Sequence, residues 1–133
     1  LLTHNDSAET TELFEWKFDN PESEVAPLGT YYATGHAGIS KQSSKSVYVT
    51  ATTDCYEKCD TVTADVNLQR LEGNTWAYVT TRSKTGKNVG SVTVSDTITV
   101  KSGYYYRVVS VHSAPKNGKR EVGSASSHSL YIG

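Results

Sequence analysis

Apolar and polar residues alternate along most of this chain with a period of two. Leu13-Phe14-Glu15-Trp16-Lys17-Phe18 sets Phe14, Trp16 and Phe18 against Glu15 and Lys17. Residues 46–53 set Val47, Val49 and Ala51 against Tyr48 and polar partners, and residues 61–71 set Val62, Ala64, Val66 and Leu68 against Thr63, Asp65, Asn67 and Gln69. Successive strand side chains point to opposite faces, so each stretch reads as a strand packed on one side. Further strands are predicted around 32–41, 76–81, 92–100, 104–114 and 121–132. Between them stand turn residues: Pro21, Pro27 and Gly29; Glu72-Gly73-Asn74; Thr85-Gly86-Lys87-Asn88; Lys101-Ser102-Gly103; Pro115-Lys116-Asn117-Gly118-Lys119. No segment shows a helical period. Short strands at this spacing predict an all-β, two-sheet antiparallel sandwich of about seven or eight strands.

Composition agrees. The chain has 17 Thr, 14 Val and 3 Ile, few Leu and no Met. Branching at Cβ restricts the side chain in a helix and suits a pleated surface. At 133 residues the chain is the size of one domain, and nine Tyr with two Trp supply apolar area that the aliphatic residues alone would not. Residues 1–11 are polar and aperiodic, which predicts a flexible acidic N-terminal segment before a single β-sandwich domain over 12–133. No apolar run approaches the roughly 20 residues of a helical span, so membrane insertion is not expected.

Charge is uneven. Residues 1–30 hold seven acids against Lys17, a balance of −6, while the remaining 103 residues hold twelve Lys or Arg and seven acids, a balance of +5. An acidic linker beside a mildly basic body is the simplest account. Cys55 and Cys59 enclose three residues, a spacing that permits a disulfide if the chain turns there. The expectation is a Cys55–Cys59 disulfide, and with it secretion. Unpaired thiols and metal or redox work are the other readings. No finger-like Cys or His spacing stands nearby, and a redox pair would carry two intervening residues, not three.

Val100-Lys101-Ser102-Gly103-Tyr104-Tyr105-Tyr106-Arg107-Val108-Val109-Ser110-Val111-His112 resembles the E–F corner and F strand of fibronectin type III domains. Val66-Asn67-Leu68-Gln69-Arg70-Leu71-Glu72-Gly73-Asn74-Thr75-Trp76 is similar to their C–C′ hairpin, and 117–127 to their F–G loop and G strand. The likeness covers roughly residues 40–133. It departs from the family in having no Trp in the B-like strand and a shorter turn before Tyr104. The C-terminal half also resembles small secreted proteins of Gram-positive bacteria whose function is unknown.

That resemblance implies a sheet of C′, C, F and G strands. Its outer face would carry Asp65, Asn67 and Gln69 beside Tyr105 and Arg107, with Trp76 or Tyr78 on the next strand. Planar aromatics beside amide and guanidinium groups suit a sugar ring or a protein contact, because apolar area and directed hydrogen bonds come together. Ordinary cross-strand packing is the competing reading, with Asp65 and Arg107 as an exposed ion pair and Tyr105 over the aliphatic part of a neighbour. The same topology gathers Arg82, Lys84 and Lys87 with Lys116, Lys119 and Arg120 at one pole. That pole would attract a polyanion, although loop tips also carry charge merely for solubility. Asp54, Glu57 and Asp60 partly offset it, and the weakly acidic overall balance argues against nucleic acid.

No catalytic signature is present: no G-x-S-x-G, no H-E-x-x-H and no phosphate-cradling glycine loop. His112 reads as a packed residue rather than a ligand. No enzyme activity, cofactor or metal is expected. The sequence favours a secreted, extracellular, non-catalytic binding or adhesion module for a glycan, a wall polymer or a protein. The alternative is a structural protein that self-assembles through strand 13–18, and a small hydrolase is a distant third.

Overall fold

The computed structural model describes the backbone of residues 7–10, 15–18, 32–116 and 119–133, and the side chains of residues 34–114 and 121–133. The period-two segments form strands: β1 (Ser7–Thr10), β2 (Glu15–Phe18), β3 (Tyr32–Ser43), β4 (Ser46–Glu72), β5 (Thr75–Thr99), β6 (Tyr104–Lys116), β7 (Lys119–Ser126) and β8 (Leu130–Ile132). Every pairing is antiparallel. The hydrogen-bonded order is β1-β3-β4-β6-β7-β2, with β5 beside β4 and β8 beside β6.

Two strands are far longer than the sequence pattern predicts. Residues 46–53 and 61–71 belong to one strand, β4, and residues 76–81 and 92–99 to another, β5. They form a single hairpin closed at Gly73, whose φ of 63° is the left-handed geometry that a tight hairpin turn asks of glycine. Residues 46–54 of β4 lie between β3 and residues 91–99 of β5. Residues 61–72 pair with 75–87 of β5, and 63–70 of these pair also with β6. The hairpin thus passes from one half of the sheet to the other, and the sheet curls into a sandwich-like arrangement around one core.

The bend needs irregular backbone. The register jumps from Asp54↔Ser91 to Cys59↔Val89, so residues 55–58 oppose Gly90 alone. Opposite this bulge, Asn88 has φ 54°, and a Cβ on Gly86 would lie 2.7 Å and 2.8 Å from the Val89 and Val92 side chains. The Gly and Asn expected to break the chain into a loop at 85–88 instead let β5 bend while it stays paired.

Val47, Val49, Ala51, Val62, Ala64, Val66 and Leu68 from β4 are all buried, and so are Tyr106, Val108, Leu130 and Ile132. Full burial of one Leu or Val side chain is worth roughly 1.5–3 kcal/mol. Tyr106, fully buried, donates its hydroxyl proton to Lys101 O at 2.7 Å and so pins the turn that precedes β6. Gly103, φ 93°, completes that turn.

Residues 7–10 lie within the segment expected to be a flexible tail. Their backbone pairs with residues 37–40 of β3 as β1. Residues 15–18, expected as a self-assembly strand, pair with residues 121–124 of β7 in the same chain.

Candidate functional site

The outward residues of β4 carry the polar half of the alternation, and β5 and β6 bring their own outward residues beside them. Gln69 pairs with Tyr78 on one side and Arg107 on the other, and Asn67 with Thr81 and Val109. Between Leu68↔Thr80 and Gln69↔Tyr78 the register slips by one residue. Tyr78 and Thr81, three apart, would otherwise point to opposite faces. The slip puts both outward.

Two ordered groups result. In the first, Thr81 Oγ1 donates to Asn67 Oδ1 at 2.6 Å, and Asn67 Nδ2 donates to Val109 O at 3.1 Å. Since the single Thr81 proton is used, the Tyr78 hydroxyl is the donor in its 2.8 Å bond to Thr81 Oγ1. This holds Tyr78, 65% exposed, in a fixed direction. In the second group, Arg107 Nε donates to Gln69 Oε1 at 2.7 Å, and the Arg107 guanidinium lies 4.3 Å from the Trp76 ring centroid. Partial burial holds the Arg107 guanidinium below the usual arginine range. Tyr105 and Tyr131 follow on the same face with ring centroids 5.0 Å apart and planes at 55°.

The six aromatic, amide and guanidinium residues predicted for this face therefore come together. The Asp65–Arg107 ion pair of the packing reading does not form: Asp65 lies opposite Val111, two outward positions along β4 from Gln69, and Gln69 takes Arg107 instead. Thr81 and Tyr131 were missed by sequence reasoning. Alternation of Tyr131 between buried Leu130 and Ile132 was the available signal for one; nothing in the sequence marks the register slip that turns Thr81 outward.

The basic pole is only partly assembled. Arg82 pairs opposite inward-facing Val66 and binds Asp96 within its own strand, Nε to Oδ2 at 2.6 Å, with Nη1 on Thr80 Oγ1 at 2.9 Å. Its charge clamps the bent β5 and is not offered at the pole. Lys84 and Lys87 are exposed, opposite Ala64 and Thr61. Lys116 pairs with Lys119 and Pro115 with Arg120 at the end of the β6–β7 ladder, and these side chains lie outside the described residues.

The expected disulfide is absent from the structure. Cys55 and Cys59 are free thiols, the first half-buried and the second buried, on a strand that runs through the cysteine segment with a bulge instead of forming a closed loop. Burial first, and then a hydrogen bond to the Cys59 thiol, push the Cys55 thiol up to about 12.

Inside the sandwich, His112 is fully buried between two hydroxyls. Its Nδ1 lies 2.6 Å from Thr53 Oγ1 and its Nε2 2.6 Å from Ser110 Oγ. Burial lowers its pKa from 6.5 to about 4, and the charge of His36 adds to that. On the outer side of β3 and β4 a depression of about 180 Å³ is lined by Gly38, Ile39, Ser40, Tyr48 and Thr50. Among the described residues no three His, Cys, Asp or Glu side chains converge as a metal site.

Residues 5–129 match a family of unknown function, DUF6147. The chain belongs to this family. No curated protein matches it. The family therefore carries no activity to this chain, and the functional reading rests on the geometry of the face.

Proposed function

We propose that this member of the family is a non-catalytic binding module that acts outside the cell, and that the outer face of β5, β4 and β6 takes a carbohydrate chain. The observation that carries the reading is the fixing of the face's polar and aromatic groups in place by one another. Tyr78 is held through Thr81 and Asn67, and Arg107 through Gln69 and Trp76. Side chains already held in one conformation lose little freedom when a ligand arrives, so more of the contact energy appears as affinity. Aromatic surface next to directed donors and acceptors matches the apolar faces and hydroxyl edges of a sugar. The extracellular setting rests on the resemblance to small secreted Gram-positive proteins.

The finer topology belongs to the same proposal. The strand pairing, with β3 and residues 46–54 and 91–99 in one half and residues 75–87, 61–72, β6 and β7 in the other, supports a fibronectin type III-like order. So does the buried Tyr106 bonded back to Lys101. A hydrolase is disfavoured. The Ser–His side-chain contact of Ser110 with His112 is fully buried, and burial makes the imidazole a weak base. Self-assembly through 13–18 is disfavoured because residues 15–18 already occupy the edge of β7.

The test is binding of the folded protein to neutral and acidic oligosaccharides and wall polymers, with Tyr78→Ala, Trp76→Ala and the double variant Lys84→Ala/Lys87→Ala. Loss of about tenfold or more in the aromatic variants, with the lysine variant unchanged, is expected. The reverse pattern would move the site to the basic pole.

A further inference from the structure

Arg107 differs from the other arginines whose side chains are described. Arg70 holds Glu72 at 2.6 Å and Arg82 holds Asp96 at 2.6 Å. Among the described residues Arg107 has no carboxylate within 4.0 Å, and Nε is its only nitrogen with a hydrogen-bond partner. Yet it is half-buried at the centre of the face, where a cation is costly without a counter-charge. Long charged side chains on a surface normally swing into water. This one is held over the Trp76 ring at 4.3 Å and tethered by Gln69 at 2.7 Å.

A second irregularity stands beside it. On its other side β6 pairs with β7 as far as Val109↔Ser126 and resumes with β8 at Tyr106↔Leu130. Arg107 and Val108 are thus opposed by three residues, 127–129. Ser127 ties this bulge to Val108, its Oγ accepting from Val108 N at 3.0 Å, while His128 is exposed. Bulges interrupt the ladder and re-aim side chains, and among the described residues no paired position of β7 or β8 stands opposite Arg107 on that flank.

We infer that Arg107 is the specificity-determining contact of the face and that it selects a sugar bearing a carboxylate. The inference rests on the glycan reading of the face. With Nε occupied, the two terminal nitrogens form a planar fork, and a carboxylate meets such a fork with both oxygens at once. Tyr78, across Gln69, and Tyr105, two residues along β6, have rings on the same face for the apolar faces of the same sugar or its neighbours. Lys84 and Lys87 supply point charges that cannot reproduce the fork.

Oligogalacturonate, oligomannuronate and hyaluronan fragments are the probes, each compared with its methyl ester, which keeps the sugar and removes the charge. Neutral gluco- and xylo-oligosaccharides and a phosphodiester wall polymer complete the set. The expected result is that at least one acid binds about tenfold or more tighter than its ester. Arg107→Lys, which keeps the charge and loses the fork, should lose most of that preference, whereas the Lys84→Ala/Lys87→Ala variant should keep it. Equal binding of acid and ester overturns the inference and leaves the glycan reading standing. So does binding of the neutral sugars alone, a stronger response to the phosphodiester polymer, or a preference that survives in Arg107→Lys. Silence of every probe overturns both. The acid–ester comparison uses the unaltered protein, so it decides the matter even if a variant misfolds.

Discussion

Burial keeps His112 neutral near pH 7, and the hydrogen bonds of its two hydroxyl neighbours then assign its tautomer. Thr53 Oγ1 donates to Thr63 O at 2.9 Å, so it accepts from His112 Nδ1–H. Ser110 then donates to Nε2, and its 3.3 Å contact with Ala125 O is the longer of its two. The ring is neutral, with its proton on Nδ1. Because the folded pKa of about 4 lies below the ordinary 6.5, the unfolded chain binds more protons between these values. The stability associated with a neutral His112 is complete above pH 6.5, drains away as pH falls toward 4, and changes no further below that. On the order of 3 kcal/mol is at stake, since one pKa unit corresponds to about 1.4 kcal/mol. Denaturant midpoints at pH 7.5, 5.5 and 4 test this, and His112→Asn should flatten the slope while lowering stability at pH 7.5. Tyr106→Phe removes the bond to Lys101 O together with the hydroxyl's contact with Arg70 and should cost about 1–2 kcal/mol, measured by the same melts.

The β4–β5 hairpin shows how far alternation carries a prediction. Inward and outward positions of β4 follow period two, and the sequence assigns them correctly: Val62, Val66 and Leu68 are buried, Asn67 and Gln69 face out. Continuity was not legible, because Gly86 and Asn88 are punctuation in a sequence whether they close a loop or bend a strand. The difference lies in contacts remote from the local pattern, the approach of Val92 to Gly86 among them. Gly86→Ala is accordingly expected to destabilise by about 1–3 kcal/mol, since the new methyl meets the Val89 and Val92 side chains at 2.7 Å and 2.8 Å. Arg82 teaches the same lesson. It reads as a free cation at a loop, but the one-residue slip near Leu68 turns it toward Asp96. Cys55 and Cys59 were read as the mouth of a closed loop, whereas the bulge lets β4 run on with both thiols free.

Over the whole molecule, the fold class was legible because a curled antiparallel sheet with one buried side leaves a strong periodic trace. The outer face of β5, β4 and β6 was legible as a set of neighbouring residues, but the bonds that order them were not. Which partner Arg107 takes depends on register, and register depends on bulges that carry no composition signal. Residues 84–87 and the end of the β6–β7 ladder are separate in register from residues 67–69, 76–81 and 105–107, so one ligand can report on them separately. The decisive measurement is therefore a chemical-shift titration of the folded, labelled protein with an oligosaccharide that binds it. The face account predicts that the perturbed amides cluster at 67–69, 76–81, 105–107 and 127–131 and that the Trp76 indole signal moves with them. Perturbations confined to 84–87 and the end of the β6–β7 ladder would contradict it.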